Sequence, residues 1–355
     1  MDITDQIRHA PKVVLHDHLD GGLRPVTIVE LADQAGLALP VDDAAELGQW
    51  FFDQADSGSL AQYLTTFDLT VAVMRSYDNL RRVASEFVLD QADDGVVYAE
   101  ARWAPAQHVT DGLSLEDGVR AVRDGLRDGM AEVAATGRTI IARQLLCELR
   151  GLEPTLDVAE LAIAYRDDSV AGLDCAGPEI GHSSASFLPS YQLAASADMF
   201  ITIHAGEAAG LESIAEAIHI CGANRIGHGV ALIDDIHRDG DRLRLGHLAS
   251  YIAALRLPLE IAPSSNLQTG VVSDLRRHPF RELDRAGVRL TVNADNRLMS
   301  RTTVTREFQL LVDAFGYGMA DVRRFTLNAA KSAFLSHEER LALIHDLVLP
   351  GYDPD

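Results

Sequence analysis

The sequence predicts an α/β chain folded as a (β/α)8 TIM-type barrel with a helical insertion after the first strand, forming one domain over residues 1–355. Three observations carry that prediction. Eight short apolar or β-branched runs recur along the chain, segments with helical spacing separate them, and chemistry-bearing side chains gather at the C-terminal ends of the runs. Nearly continuous apolar strands alternating with helices imply parallel pairing with both faces covered. A doubly wound open sheet is the alternative, but no glycine-rich phosphate loop follows the first run, which continues "DHLDGG".

The first run is "VVLHDHL" (13–19), where alternation along a strand sends His16 and His18 the same way. "VVYAEARWA" (96–104), "TIIARQLLCEL" (139–149) and "VAGLDCAG" (170–177) follow, then "FITIHAG" (200–206), "RIGHG" (225–229), "LPLEIAPS" (257–264) and "VRLTVNADN" (288–296). After the second run, "LEDGVRAVRDGLRDGMAEVAA" has the spacing of an amphipathic helix. After the fifth, "LESIAEAIHICG" does too, with Gly222 as its stop. The connection from about residue 20 to 95 is long for a single βα unit and contains Leu60, Leu64 and Phe67 at helical spacing. An inserted helical segment at that point of a barrel sits above the mouth, where it can cover a ligand.

Composition excludes several function classes. A chain of 355 residues with 47% hydrophobic and 24% charged residues can bury a large core. Its formal charge of -22 repels phosphate backbones and anionic membrane surfaces, so neither nucleic acid nor a membrane is expected as a partner. The start "MDITDQIRHAPKV" has no basic and apolar leader pattern, and no window reads as a membrane span, so a cytoplasmic protein is expected. Cys147, Cys175 and Cys221 show no close pairing and read as small buried thiols.

The polar strand ends carry His16 and His18, Glu100 and Arg102, Gly177, His204 and Glu207, His228, Glu260 and Asp295. In a (β/α)8 barrel all those ends meet at one mouth, where active sites of that fold are built. A lone histidine is usually structural, but an H-x-H pair joined there by His204, His228 and Asp295 is a metal-competent cluster. Three imidazoles and a carboxylate, His16, His18, His204 and Asp295, suit one zinc ion with an open position for water, although iron or manganese accept the same set.

The stretches "PKVVLHDHLDG", "GLDCAGPE", "TIHAGEAAGLESI", "RIGHGV", "IAPSSNLQTG", "VNADN" and "NAAKSAF", in this order from residue 11 to about 335, resemble the adenosine deaminase family. The resemblance implies a barrel, a zinc ion on the four residues already named, and hydrolytic deamination of adenosine to inosine and ammonia. The partner it implies is a small purine nucleoside. His228 matches the histidine beside the attacking water, which it can orient or deprotonate. Glu207 matches the acid that protonates ring nitrogen 1, and for that it must be protonated at rest, with a pKa raised by burial.

The resemblance also implies the substrate contacts. His18 matches a residue that both binds metal and touches substrate, and the Gly177 amide matches a donor to ring nitrogen 3. Asp20 stands where members acting on the nucleoside have an aspartate that accepts from the ribose 5′-hydroxyl; its carboxylate disfavours a 5′-phosphate by like charge. Asn296 departs from the commoner second aspartate, yet an amide still donates to ring nitrogen 7. Ala294 replaces a threonine, and Asp17, on the opposite strand face from the two histidines, is expected to pair with a basic group.

Overall fold

Each of the eight runs becomes a strand buried over most of its length, as parallel strands covered on both sides require. The computed structural model describes residues 2–240 and 242–352. Its strands are β1 (Lys12–His18), β2 (Val96–Trp103), β3 (Ile141–Leu149), β4 (Val170–Ala176), β5 (Phe200–Ala205), β6 (Arg225–His228), β7 (Ile236–Asp239), β8 (Arg242–Leu245), β9 (Pro258–Ile261) and β10 (Arg289–Val292). All but β7 and β8 form one sheet in the order β1-β2-β3-β4-β5-β6-β9-β10, with parallel pairing at every step. β7 and β8 make a separate antiparallel hairpin that the sequence did not predict, because its mostly exposed residues carry no core signal.

The seam between β10 and β1 is closed by two residues that follow β10's ladder, Asn293 and Asp295. Asn293 uses its side-chain carbonyl to accept from the amides of Leu15 and His16, at 3.0 and 3.1 Å. Asp295 then donates its amide to the His16 carbonyl (3.0 Å) and accepts from the His18 amide (2.7 Å). Barrel closure thereby inserts Asp295 between the two histidines of the H-x-H pair.

Helices alternate with the strands as expected. The helix Leu115–Ala135 starts at Ser114, whose hydroxyl accepts from the Asp117 amide, and it packs on the helix Tyr77–Asp93. Gly125 and Gly129 permit the close crossing: a methyl group on either would stand 2.1 Å from the Arg81 carbonyl oxygen or 2.8 Å from that of Ser85. Between β1 and β2 the chain forms five helices, Pro25–Ala35, Ala44–Ala55, Leu60–Leu64, Phe67–Val73 and Tyr77–Asp93. Among the described residues, no helix is long and apolar enough to cross a membrane.

One expectation needs correction. Glu100, Arg102 and Glu260 do not line the mouth; they are fully buried in the barrel interior, where Arg102 bonds Glu260 (2.7 Å) and Asp174 (3.2 Å) while Arg225 bridges Glu260 and Glu100. Side chains on alternate strand residues point into the barrel, and charges brought there are retained only when paired. Asp17 points the other way and pairs with Arg297 at 3.0 Å, as expected.

A second buried carboxyl is not paired with a cation. Burial pushes Glu148 of β3 up to about 7, against a hydrogen bond from Ser190, and its Oε1 has no partner. The folded protein thus holds this proton more tightly than the unfolded chain, so stability falls as pH rises from the ordinary carboxyl range to about 7. Glu148→Gln, neutral at every pH, is expected to match the wild type near pH 5 and exceed it near pH 8 by up to about 3 kcal/mol. Urea unfolding at both pH values checks this; an equal difference at the two would contradict it.

Candidate metal centre and active site

The strand ends β1, β5, β6 and the turn after β10 bring their polar residues to a single cavity of about 800 Å³, counting its open mouth. Its floor carries His18, His204, Glu207, His228 and Asp295, with His16 buried just behind. Leu60, Tyr63, Leu64 and Phe67, from the segment after β1, make an apolar wall. The stripe expected to reach the mouth therefore lies against the ligand space. Asp20, Gly177 and Asn296 complete the set, so the sequence-predicted site residues converge on one place.

Two of these residues sit in backbone conformations that L side chains rarely adopt. His228 has φ of 60° and Asp295 of 61°. Left-handed backbone at non-glycine residues costs energy and is held by its surroundings, a common sign of a functional position. Gly177, just past β4, has φ of 92°, and a side chain there would press on Leu149 and the backbone of Arg150. Glycine adopts this left-handed backbone at the cavity wall without strain.

The donor atoms crowd together. His16 Nε2 lies 3.2 Å and His18 Nε2 3.4 Å from Asp295 Oδ1, and His18 Nε2 is 3.2 Å from His204 Nε2. His16 Nε2 is fully buried yet lacks hydrogen-bond geometry to any partner. Two imidazole nitrogens facing each other, an orphaned third and a carboxylate between them are the arrangement a cation resolves. The donor set fits a metal ion, and the absence of thiolate suits zinc, iron or manganese.

Hydrogen bonds on the far side of the His16 and His204 rings aim their Nε2 atoms inward. His16 Nδ1 meets Glu260 (3.0 Å), and His204 Nδ1 meets Asp174 (3.2 Å) and the Cys175 carbonyl (3.0 Å). Burial drives His18 down to about 3 and lowers His204 and His228, which keeps those rings neutral. His16 differs: burial and Arg102 oppose its charge, but Asp295 and Glu260 on either side raise it. A metal ion held at Nε2 would take the place of that proton. Against the cost of burial, the surrounding imidazoles hold Asp295 well below the usual carboxylate range.

Glu207 is the opposite case. Burial, with the charges of Asp295 and Glu179 nearby, raises it well above the usual carboxyl range, which favours its protonated form. Its Oε2 stands 3.6 Å from His228 Nε2, which is 3.9 Å from Asp295 Oδ2. A carboxyl group that burial favours in its protonated form, a neutral imidazole and a cluster of metal-competent side chains thus face one space, an arrangement able to add a proton and an oxygen to opposite ends of one bond.

Sequence reasoning missed the residues that hold this arrangement. Glu179 accepts from the amides of Gly206, Glu207, Ala208 and Ala209 and from the Ser213 hydroxyl, fixing the turn that carries Glu207. Asp174 steadies His204, and His108 is buried with its Nε2 3.9 Å from Asp20. Lone acids and histidines have no period, so only their contacts distinguish them.

A family model described as adenosine deaminase matches residues 11–349. "Adenosine deaminase 1" of Streptomyces coelicolor is 52% identical over 351 residues, covering 98% of this chain and 88% of that protein. "Adenosine deaminase" of Mycolicibacterium gilvum is 51% identical over 350 residues, covering 98% and 97%. Among solved structures, the N6-methyl-AMP deaminase of Arabidopsis thaliana superposes with a TM-score of 0.80 at 27% identity, over 98% of this chain and 99% of the other. Matched nearly end to end at half identity, with the barrel and its crowded mouth in place, the chain belongs to the adenosine deaminase family.

Proposed function

We propose that residues 1–355 act as one domain that holds a single zinc ion on His16, His18, His204 and Asp295 and hydrolyses adenosine and 2′-deoxyadenosine to the 6-oxo nucleoside and ammonia. The observation that carries this reading is Glu207, its pKa raised by burial, facing His228 beside the crowded donor atoms of His16, His18, His204 and Asp295. A zinc ion held there supplies a water whose pKa falls from 15.7 to about 7, and so a nucleophile at neutral pH.

The side chains do the rest. Glu207 gives its proton to ring nitrogen 1, which makes carbon 6 electrophilic, and His228 orients the attacking oxygen and stabilises charge there. Carbon 6 becomes tetrahedral; the amino group takes up the proton released from the attacking water and leaves as ammonia, and the carboxylate left on Glu207 takes back a proton from the added hydroxyl, which gives the 6-oxo ring with hydrogen on nitrogen 1. The Gly177 amide donates to ring nitrogen 3, the Asn296 amide to ring nitrogen 7, and the wall of Leu60, Tyr63, Leu64 and Phe67 excludes water. Asp20, buried with an unpaired Oδ1, accepts from the ribose 5′-hydroxyl. Such a carboxylate repels a nucleotide, so this chain and the Arabidopsis deaminase it superposes on differ in substrate. The proposed setting is purine salvage in the cytoplasm.

The test is turnover of adenosine, 2′-deoxyadenosine, adenine and AMP, followed by ultraviolet absorbance with and without a chelator. The nucleosides are expected to react, AMP and adenine to be poor, and chelation to stop the reaction until zinc is restored. Preference for AMP or adenine would overturn the substrate assignment. No turnover of any by zinc-loaded protein would leave a nucleoside-binding relative that has lost its activity.

A further inference from the structure

His228 is held from behind by a line of buried polar groups that the mechanism above does not use. The Phe280 amide donates to His278 Nδ1 (3.1 Å), His278 Nε2 meets Asn266 Oδ1 (3.2 Å), and Asn266 Nδ2 meets His228 Nδ1 (3.1 Å). Asn266 and His278 are fully buried. Asn266 comes from the short helix Pro263–Gln268 after β9, and Phe280 opens the helix Phe280–Arg285, so the line ties two segments to the end of β6.

The direction of every proton in this line follows from its far end. A backbone N–H can only donate, so His278 Nδ1 is an acceptor. Burial drives His278 down to about 3, so the ring is neutral and carries its one proton on Nε2. That proton goes to Asn266, which fixes the facing atom as the amide oxygen and turns the amide NH2 toward His228. His228 Nδ1 must then accept. The assignment does not depend on distinguishing amide oxygen from nitrogen by eye, because the backbone settles it.

We propose that Asn266 and His278 are positioning residues that lock neutral His228 in the tautomer bearing its proton on Nε2, so that it meets the attacking oxygen as a hydrogen-bond donor. Nε2 is the atom that faces Glu207 and Asp295 across the reaction space. With a proton already there, it has no lone pair with which to take one from water. Of the two roles open to this histidine, orienting and charge stabilisation remain, and proton abstraction by Nε2 does not. A purely structural line of hydrogen bonds needs no particular tautomer at its end, whereas this one permits only one. The inference rests on the reading of His228 as the group at the attacking oxygen.

The test is nitrogen NMR of the histidine rings in zinc-loaded protein, together with steady-state kinetics of variants. In the wild type, His228 Nδ1 is expected to resonate as an unprotonated ring nitrogen and Nε2 as a protonated one. Asn266→Asp replaces a donor by a group that only accepts, so the His228 proton is expected to move to Nδ1. In that variant kcat is expected to fall on the order of 10²- to 10⁴-fold with KM little changed, the size of loss a wrong tautomer causes elsewhere. His278→Gln, whose amide can still donate to Asn266, is expected to retain most of the kcat that His278→Leu loses. A wild-type spectrum with Nδ1 protonated overturns the proposal whether or not the variants fold. So does an Asn266→Asp protein with an unchanged tautomer or an unchanged kcat. The spectrum reports the tautomer independently of substrate, so failure to turn over adenosine counts against the functional reading alone.

Discussion

Glu207→Gln is expected to lower kcat by roughly 10²- to 10⁴-fold, the contribution of a well-placed general acid. The amide has the shape of the acid and can still hydrogen-bond to the ring, but it has no proton to give up. Zinc content and folding are expected to be unchanged, since burial already favours the neutral form of the wild-type side chain and the amide matches it in shape. The pH profile supplies a second, independent readout. Glu207 is active while protonated and its pKa is raised well above the ordinary carboxyl range, so wild-type kcat should hold on the acid side of that raised value until other groups titrate. It should then decline as pH rises through the raised value. The residual activity of the variant should lack that decline. Turnover within a few-fold of wild type would remove Glu207 from the mechanism.

Asp295→Asn is expected to release the metal. Asp295 is the one anionic donor of the proposed set, within 3.4 Å of both His16 and His18, and its replacement by a neutral amide leaves three imidazoles to hold a dication. Asparagine is the informative substitution because it tolerates the left-handed backbone that Asp295 adopts, at φ of 61°, and keeps the main-chain bonds that close the barrel. An alanine there would confound lost coordination with backbone strain. The loss in kcat/KM at limiting zinc is expected to exceed the roughly 10- to 100-fold that follows loss of a ligand's hydrogen-bonding partner. Metal analysis of dialysed protein should find little zinc per chain. Full metal content with near-normal turnover would show that the carboxylate is not a ligand.

The two predictions differ in how they could be reached. His16, His18 and Glu207 are legible in short stretches, the first two by strand alternation and the third through the resemblance of "TIHAGEAAGLESI" to the family. Asp295 is legible as a polar strand end, but its place between the two histidines comes from barrel closure, through bonds spanning most of the chain. Glu100, Arg102 and Glu260 show the limit of that reading. They have the same strand-end look, yet the pleat turns them into the barrel, where they pair with Arg225 and Asp174.

The sequence by itself determined the strand and helix pattern, the chemistry of the donor set and the family. Those properties reside in period, residue type and ordered short motifs, all of which are local along the chain. Only the tertiary structure decided which lone polar residues matter: Glu179 clamping the Glu207 turn, Asp174 behind His204, and the line from Phe280 through His278 and Asn266 to His228. The physical reason is that a buried polar group takes its meaning from the partner that satisfies it, and each partner here arrives from a distant strand or helix. Tertiary structure also fixed the protonation of Glu207, because burial is a property of the fold rather than of the residue.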